Sequence, residues 1–309
     1  MKQFIILLCV VAFLNSCQTI EDANSSVLKV SDLEYVGCMH NDFMNNINKS
    51  FININDNEMS KEKCIDFVLD CNLEYLKQKN FIDSERQSIA QDFIKYKNFV
   101  NVNQFRNNIN KKESRSLNST DYNLEKMAQD SIINIDDLPS LKELANQALS
   151  EGVLDKKCYN ILFEIISLIE ESDAGLISDQ TLEKKINDSI DKFDKCKYSK
   201  DSPVGVNTAC ILAVSNSSVQ WWKENPNAMI VEEKIPAVVV TDIAGAIVGG
   251  LSNMAGQVYL AKGKSFKFNF NSCIYSIGAG AITGSCGLVG KLGRYIKICL
   301  LYTSDAADE

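Results

Sequence analysis

The chain has 309 residues, with 32 Lys or Arg against 40 Asp or Glu, so its formal net charge is −8. A hydrophobic fraction of 45% is that of a folded globular chain, which excludes wholesale disorder. The acidic balance argues against a nucleic-acid partner, because such partners usually bind a basic surface. The single histidine, His40, argues against most histidine-based catalytic and metal sites. We therefore expect no nucleic-acid partner, no metal, no cofactor and no enzymatic activity.

The first residues are typical of a secretory leader. Lys2 gives a short basic start, and an apolar run extends from Phe4 to Leu14. A membrane-spanning helix needs about 20 apolar residues, so this shorter run fits the apolar part of a signal peptide better. We predict a signal peptide over residues 1–16.

The leader ends in Leu14-Asn15-Ser16-Cys17. This sequence resembles the lipobox of bacterial lipoproteins, although Asn15 stands where a small or aliphatic residue is commoner. The resemblance implies cleavage before Cys17 and its acylation with two or three chains of the palmitate type, which together anchor a protein to a membrane. The alternative is an ordinary signal peptide followed by a chance cysteine.

The residues after Cys17 bear on location. Gln18, where an Asp would favour retention at the inner membrane, and the acidic pair Glu21-Asp22 resemble the start of exported lipoproteins from Bacteroidota-type gut anaerobes. The resemblance implies the outer membrane or the cell surface as the location.

At the other end of the chain, residues 299–309 resemble a translated sequencing adapter, so we expect native sequence to stop near Ile298. The alternative is a genuine polar tail.

Cysteine usage fits an exported protein. Setting aside Cys9, Cys17 and Cys299 leaves eight: Cys38, Cys64, Cys71, Cys158, Cys196, Cys210, Cys273 and Cys286. An even number is compatible with disulfides, whose pairing the sequence does not fix, and the alternative is buried free thiols. No C-x-x-C pair is present, so a zinc or thioredoxin-like site is not indicated.

Apolar periodicity predicts a mainly α fold, with a bundle-like helical region followed by a glycine-rich helical hairpin. Ser84–Gln87 and Ser140–Glu143 have the pattern of capping boxes, and Gly152 that of a helix stop. The alternation of phenylalanine with polar residues predicts one short strand near 264–271. The predicted segments are a tether (17–30), a helical region (31–100), a polar linker (101–137), a second helical region (138–200) and a Gly/Ala-rich hairpin region (201–298).

The hairpin region is nearly free of charge and contains small residues four apart. Gly245 and Gly249 form one such pair, and Gly280 and Gly284 form another. This spacing lets helix backbones approach closely, and residues 235–295 resemble the glycine-zipper segments of membrane-active bacterial peptides and small envelope proteins. Asp242 opposes insertion, because a charge near the bilayer centre costs about 2.5–3.5 kcal/mol. Both a soluble packed hairpin and a membrane-inserted hairpin stay open.

Two weaker motifs concern the surface. Asp130-Ser131-Ile132 and Asp188-Ser189-Ile190 match a short O-glycosylation motif familiar in Bacteroidota-type exported proteins, which makes Ser131 and Ser189 candidate sites. Trp221-Trp222 suits either a sugar-stacking platform or a buried aromatic pair, and the buried pair is the commoner use.

Taken together, the sequence predicts a lipid-anchored envelope or surface protein with a non-enzymatic interaction role. Its expected partners are the membrane, through the acyl chains and, if it inserts, the hairpin at 235–295, and a second copy through self-association of the hairpin. The alternative is a membrane-active effector that inserts its glycine-zipper hairpin into a bilayer.

Overall fold

The computed structural model describes residues 26–52, 61–79, 82–97, 123–133, 138–226, 235–261 and 267–288. In these ranges 81% of the residues are helical and there is no strand beyond an isolated bridge between Val27 and Ser199. The prediction of a mainly α fold is confirmed. After a 3₁₀ turn at Val30–Leu33, the helices are α1 (Glu34–Ile52), α2 (Lys61–Gln78), α3 (Asp83–Tyr96), α4 (Leu124–Gln129), α5 (Leu141–Ser150), α6 (Lys156–Asp173), α7 (Asp179–Lys195), α8 (Pro203–Glu224), α9 (Ile235–Leu260) and α10 (Phe270–Leu288).

Local signals fix several helix ends. Before α5, the Ser140 hydroxyl accepts from the backbone N–H of Glu143 at 3.2 Å, and the Glu143 carboxylate accepts from the N–H of Ser140 at 2.8 Å. This confirms the predicted capping box. Gly152 follows α5 with a φ of +74°, a conformation that glycine adopts without strain.

The predicted capping box at Ser84 is wrong. α3 begins at Asp83, and the Glu85 carboxylate accepts from the backbone N–H of Ile82 at 3.2 Å. The acidic side chain nearer the start of the helix therefore satisfies the free N–H group. Ser84 lies one residue inside the helix and does not cap it.

The predicted strand near 264–271 is not formed in its described part. Residues 267–269 are irregular and α10 begins at Phe270. Asn269 caps that helix: its side chain accepts from the N–H of Ser272 at 3.1 Å, and its own N–H donates to Gln257 at 2.6 Å. The alternating polar residue is thus a helix cap, and Phe268 and Phe270 pack edge to face with ring centroids 4.8 Å apart.

The predicted linker at 101–137 contains structure in its described part. α4 lies within it, and the side chains of Leu124, Met127 and Ile133 are fully buried. The predicted tether at 17–30 likewise ends in buried residues, Leu28 and Val30. In both segments a few apolar side chains among many polar residues belong to the hydrophobic core.

The helical hairpin of α9 and α10 forms the centre of the described fold. α1, α3, α4, α6 and α8 pack against it, and α7 packs outside α6 and α8. Ion pairs join the outer helices, as between Lys192 and Glu164 at 2.6 Å and between Lys223 and Glu183 at 2.9 Å. Apolar faces therefore point toward the hairpin while charged faces point outward.

Within the described ranges, Val239–Leu260 is the one helical stretch long and apolar enough to cross a membrane. Most of it is buried by the surrounding helices, and a core helix passes the same test of length and composition. Six cysteines have side chains that the structure describes, and all six are free thiols: Cys38, Cys71, Cys158, Cys196, Cys210 and Cys273.

Candidate functional site

The four glycines singled out in the sequence lie at the contact between α9 and α10. A Cβ added to Gly245 would come closer than 3.0 Å to the carbonyl oxygen of Gly280, and a Cβ on Gly280 would meet the oxygen of Gly245 in the same way. Gly249 faces the Ser276 carbonyl, and Gly284 faces that of Thr241. The two backbones touch at each of these points, where only glycine fits.

Sequence reasoning missed a similar contact at Gly37 in α1. A Cβ there would collide with the Ser217 side chain and with the Ala213 carbonyl oxygen, both in α8. No neighbouring small residue at a spacing of four marks this glycine in the sequence. The approach of α1 to α8 brings the only histidine of the chain into the core.

A buried polar cluster surrounds Asp242, whose side chain is inaccessible to water. The hydroxyls of Ser218 and Ser285 donate to its carboxylate, and the indole N–H of Trp222 donates to Oδ2 at 3.0 Å. The Nε2 atom of His40 lies 3.6 Å from the same oxygen. Residues of α1, α8, α9 and α10 therefore converge on one carboxyl group.

The electrostatics of this cluster follow from its burial. Burial raises the pKa of the Asp242 carboxyl, and His40 together with the three donors opposes the rise. His40 is 1% exposed, and its Nδ1 pairs with the Asn41 side chain at 3.0 Å while Nε2 has no hydrogen bond. Both serines donate to the Asp242 carboxylate, and all three side chains are inaccessible to water, so a substrate has no path to them. The cluster is built to join helices.

A second carboxyl group, Asp92 in α3, lies near α10. Burial raises its pKa to about 7, against the opposing effects of Lys95 and of a hydrogen bond from Ser276. Burial also lowers the pKa of Lys95, whose ammonium group donates to the Ala128 carbonyl at 3.3 Å. The pair is partly exposed, so water reaches both groups.

We expect Asp92→Asn to stabilise the protein by about 2 kcal/mol at pH 8 and by much less at pH 4. The pKa of Asp92 is higher in the folded chain than in the unfolded chain, so its contribution to stability is full below about pH 4 and falls as the pH rises through 7. Urea unfolding between pH 4 and pH 8 measures the difference. An equal effect at both ends of the range would contradict the assignment.

The other residues that the sequence predicted as sites differ in their exposure to water. Ser131 is exposed just after α4, where a glycosyltransferase can reach it. Ser189 is 2% exposed, and its hydroxyl donates to the Lys185 carbonyl, so a glycan there is incompatible with this fold. Trp221 and Trp222 are buried and pack edge to face, which excludes a sugar-stacking platform. Cys17 lies outside the described residues.

Comparison with protein-family models, with curated proteins and with solved structures finds no match to this chain. Among the described residues, no group of three or more His, Cys, Asp or Glu side chains is arranged to hold a metal ion.

Proposed function

We propose that this chain is an exported protein held on the cell envelope by acyl chains on Cys17, and that it acts by binding. The lipobox-like sequence Leu14–Cys17 is the observation that carries the anchor. Each acyl methylene buried in a bilayer contributes about 0.8 kcal/mol, so two or more chains give stable attachment. Gln18 and Glu21-Asp22 favour the outer membrane or the cell surface as the location.

The closed polar cluster supports binding over catalysis. His40, Asp242 and the serines that bond to the carboxylate are all buried in the contact between helices. The four hairpin glycines are likewise used within the chain, each against the backbone of the other helix. Self-association through these glycines would require the bundle to open, so we propose that the hairpin is an internal scaffold and that partners bind the outer surface.

The membrane-active alternative is favoured by one feature, the apolar hairpin at the centre of a shell of polar-faced helices. In that case the shell would open and the hairpin would enter a bilayer. Asp242 would keep Ser285 as a partner, because both lie on the hairpin itself.

One fractionation experiment tests both proposals. We expect the mature protein from cells to begin at an acylated Cys17 by mass spectrometry, to accumulate as precursor with globomycin, and to stay with membranes after carbonate washing. The matched control carries a leader that is cleaved without acylation in place of residues 1–17, and we expect its release. An unmodified mature Cys17 would contradict the anchor, whereas carbonate-resistant retention of the control would support insertion of the hairpin.

A further inference from the structure

The entry of the chain into the fold and the tip of the hairpin lie at the same end of the bundle. Leu28 donates its backbone N–H to the Tyr198 carbonyl at 2.6 Å, just before α8 begins at Pro203. Near that start of α8, Asn207 lies against Gly250 of α9 and accepts from the Cys273 thiol of α10 at 3.3 Å. Past the level of Asn207 and Gly250, the hairpin continues to its tip, where α9 ends and α10 begins.

Helix geometry gives the distance to the tip. Leu260 ends α9 ten residues after Gly250, which at 1.5 Å per residue is about 15 Å along the axis. Pro203 precedes Asn207 by four residues, or about 6 Å. The tip of the hairpin therefore extends about 9 Å past the start of α8.

At the tip of the hairpin the exposed side chains that the structure describes include an apolar and a basic one. Leu260 is 80% exposed, Phe268 and Phe270 are partly buried beside it, and Lys267 is exposed. The sequence that joins α9 to α10, residues 261–269, contains three lysines and no acidic residue, in a chain whose net charge is −8.

Two exposed isoleucines also flank this end of the bundle. Ile94 is 40% exposed and Ile132 is 39% exposed, and their neighbours are joined by a hydrogen bond from Ile133 N–H to the Lys95 carbonyl. The adjoining α4 lies against Ser252 and Gly256, near the end of α9. Aliphatic and aromatic side chains with lysines are the composition that proteins place at the interface between lipid and water.

We infer that this end of the bundle, called here the tip surface (Leu260, Lys267, Phe268 and Phe270), rests on the bilayer to which Cys17 is anchored. The inference rests on the proposed anchor. Between Cys17 and Ser26 lie eight residues, and nine steps of at most about 3.5 Å keep Ser26 within about 30 Å of the lipid headgroups. Because Ser26 enters the fold at the same end, the tether presents the tip surface to the lipid. Lys267 suits anionic headgroups.

Added tryptophans at the two ends of the bundle test this orientation. Leu260→Trp reports on the tip surface, and Leu176→Trp is the matched control, because Leu176 is 74% exposed in the turn after α6. α6 begins beside α8, where the Cys158 thiol donates to the Val204 carbonyl, and it runs 18 residues toward the opposite end. The native Trp221 and Trp222 are buried and give the same background in both variants.

The measurement uses vesicles of phosphatidylcholine and phosphatidylglycerol with shallow or deep brominated acyl chains. We expect shallow bromines to quench the added tryptophan of Leu260→Trp at least about twofold more than that of Leu176→Trp, with a blue-shifted emission. Equal quenching of the two variants would overturn the inference, as would stronger quenching by deep bromines, which indicates insertion of the hairpin. A blue shift without vesicles that grows with protein concentration would show that a second copy covers the tip surface and would also overturn it.

A second arm separates this inference from the anchor. A version starting at residue 18 with an N-terminal polyhistidine tag is tethered to nickel-chelating lipids, so its orientation does not depend on acylation. Absence of acyl chains on Cys17 would remove the anchor while this arm still tests the tip surface. Equal quenching in this arm would overturn the tip surface even where Cys17 is acylated.

Discussion

Gly245→Ala is expected to lower the free energy of unfolding by about 3 kcal/mol, while Gly278→Ala leaves it unchanged or raises it by up to about 1 kcal/mol. Both residues are glycines inside helices of the same hairpin. A Cβ on Gly245 would collide with the backbone of Gly280, which cannot move without separating the helices, whereas a Cβ on Gly278 would meet nothing within 4 Å. Alanine favours a helix by about 1 kcal/mol over glycine, and at Gly278 no clash opposes that gain.

Urea unfolding of the chain from residue 18 onward measures both variants. Gly280→Ala should match Gly245→Ala, because the two glycines face each other. The double variant should cost less than the sum of the two, since the first methyl group already separates the helices. Equal stabilities of the Gly245 and Gly278 variants would show that the backbones do not touch in solution.

Much of the helical architecture could be predicted because its signals are local. The apolar stripes of α5 and α6, the capping box at Ser140 and the end of α8 before Pro226 each depend on residues within a few positions of one another. The spacing of Gly245 and Gly249 likewise reports a close helix contact. Sequence reasoning failed where one local pattern fits two structures. Asn269 between two phenylalanines suits a strand, but it caps α10.

The polar cluster could not be predicted, since its members are separated in the sequence by up to 245 positions. His40 of α1 and Ser285 of α10 both reach Asp242 because α1 packs on α8 and α10, and α10 pairs with α9. No spacing rule relates residues on four different helices. Asp242 itself was visible in the sequence as the one charge in an apolar segment, and that observation favours a specific partner set inside the fold.

Asp242 also bears on the choice between a soluble and an inserted hairpin. In the described fold three donors bond to its carboxyl group and His40 lies 3.6 Å away, and three of these four groups come from outside the hairpin. Insertion would leave Ser285 as the partner and would expose to lipid the helix faces that α1 and α8 now cover. The cluster thus opposes opening of the bundle, because the partners it would lose are those that offset the burial of the carboxyl group.

Asp242→Ala is expected to lower the free energy of unfolding by about 3–5 kcal/mol, because it removes the acceptor shared by buried donors and leaves a small cavity. The Ser218 and Ser285 hydroxyls and the Trp222 indole would all lose their partner without access to water. Asp188→Ala is the matched control: Asp188 is half-exposed in α7 and pairs with Lys184 on the surface. Its loss should change stability by less than about 0.5 kcal/mol.

Asp242→Asn separates the acceptor from the charge, because the amide keeps one acceptor oxygen and the same shape. We expect this variant to lower the free energy of unfolding by about 1–2 kcal/mol, less than the alanine variant does.

Burial holds the pKa of Asp242 above its unfolded value, so the contribution of the carboxyl group to stability is full below about pH 4 and is lost as the pH rises through the folded pKa. The stability of the wild type should therefore exceed that of Asp242→Asn most at low pH, and His40→Gln should alter that dependence, since His40 lies 3.6 Å from the carboxyl oxygen and opposes the rise of its pKa. Equal losses in the Asp242 and Asp188 variants would mean that the carboxyl group is not buried among these helices.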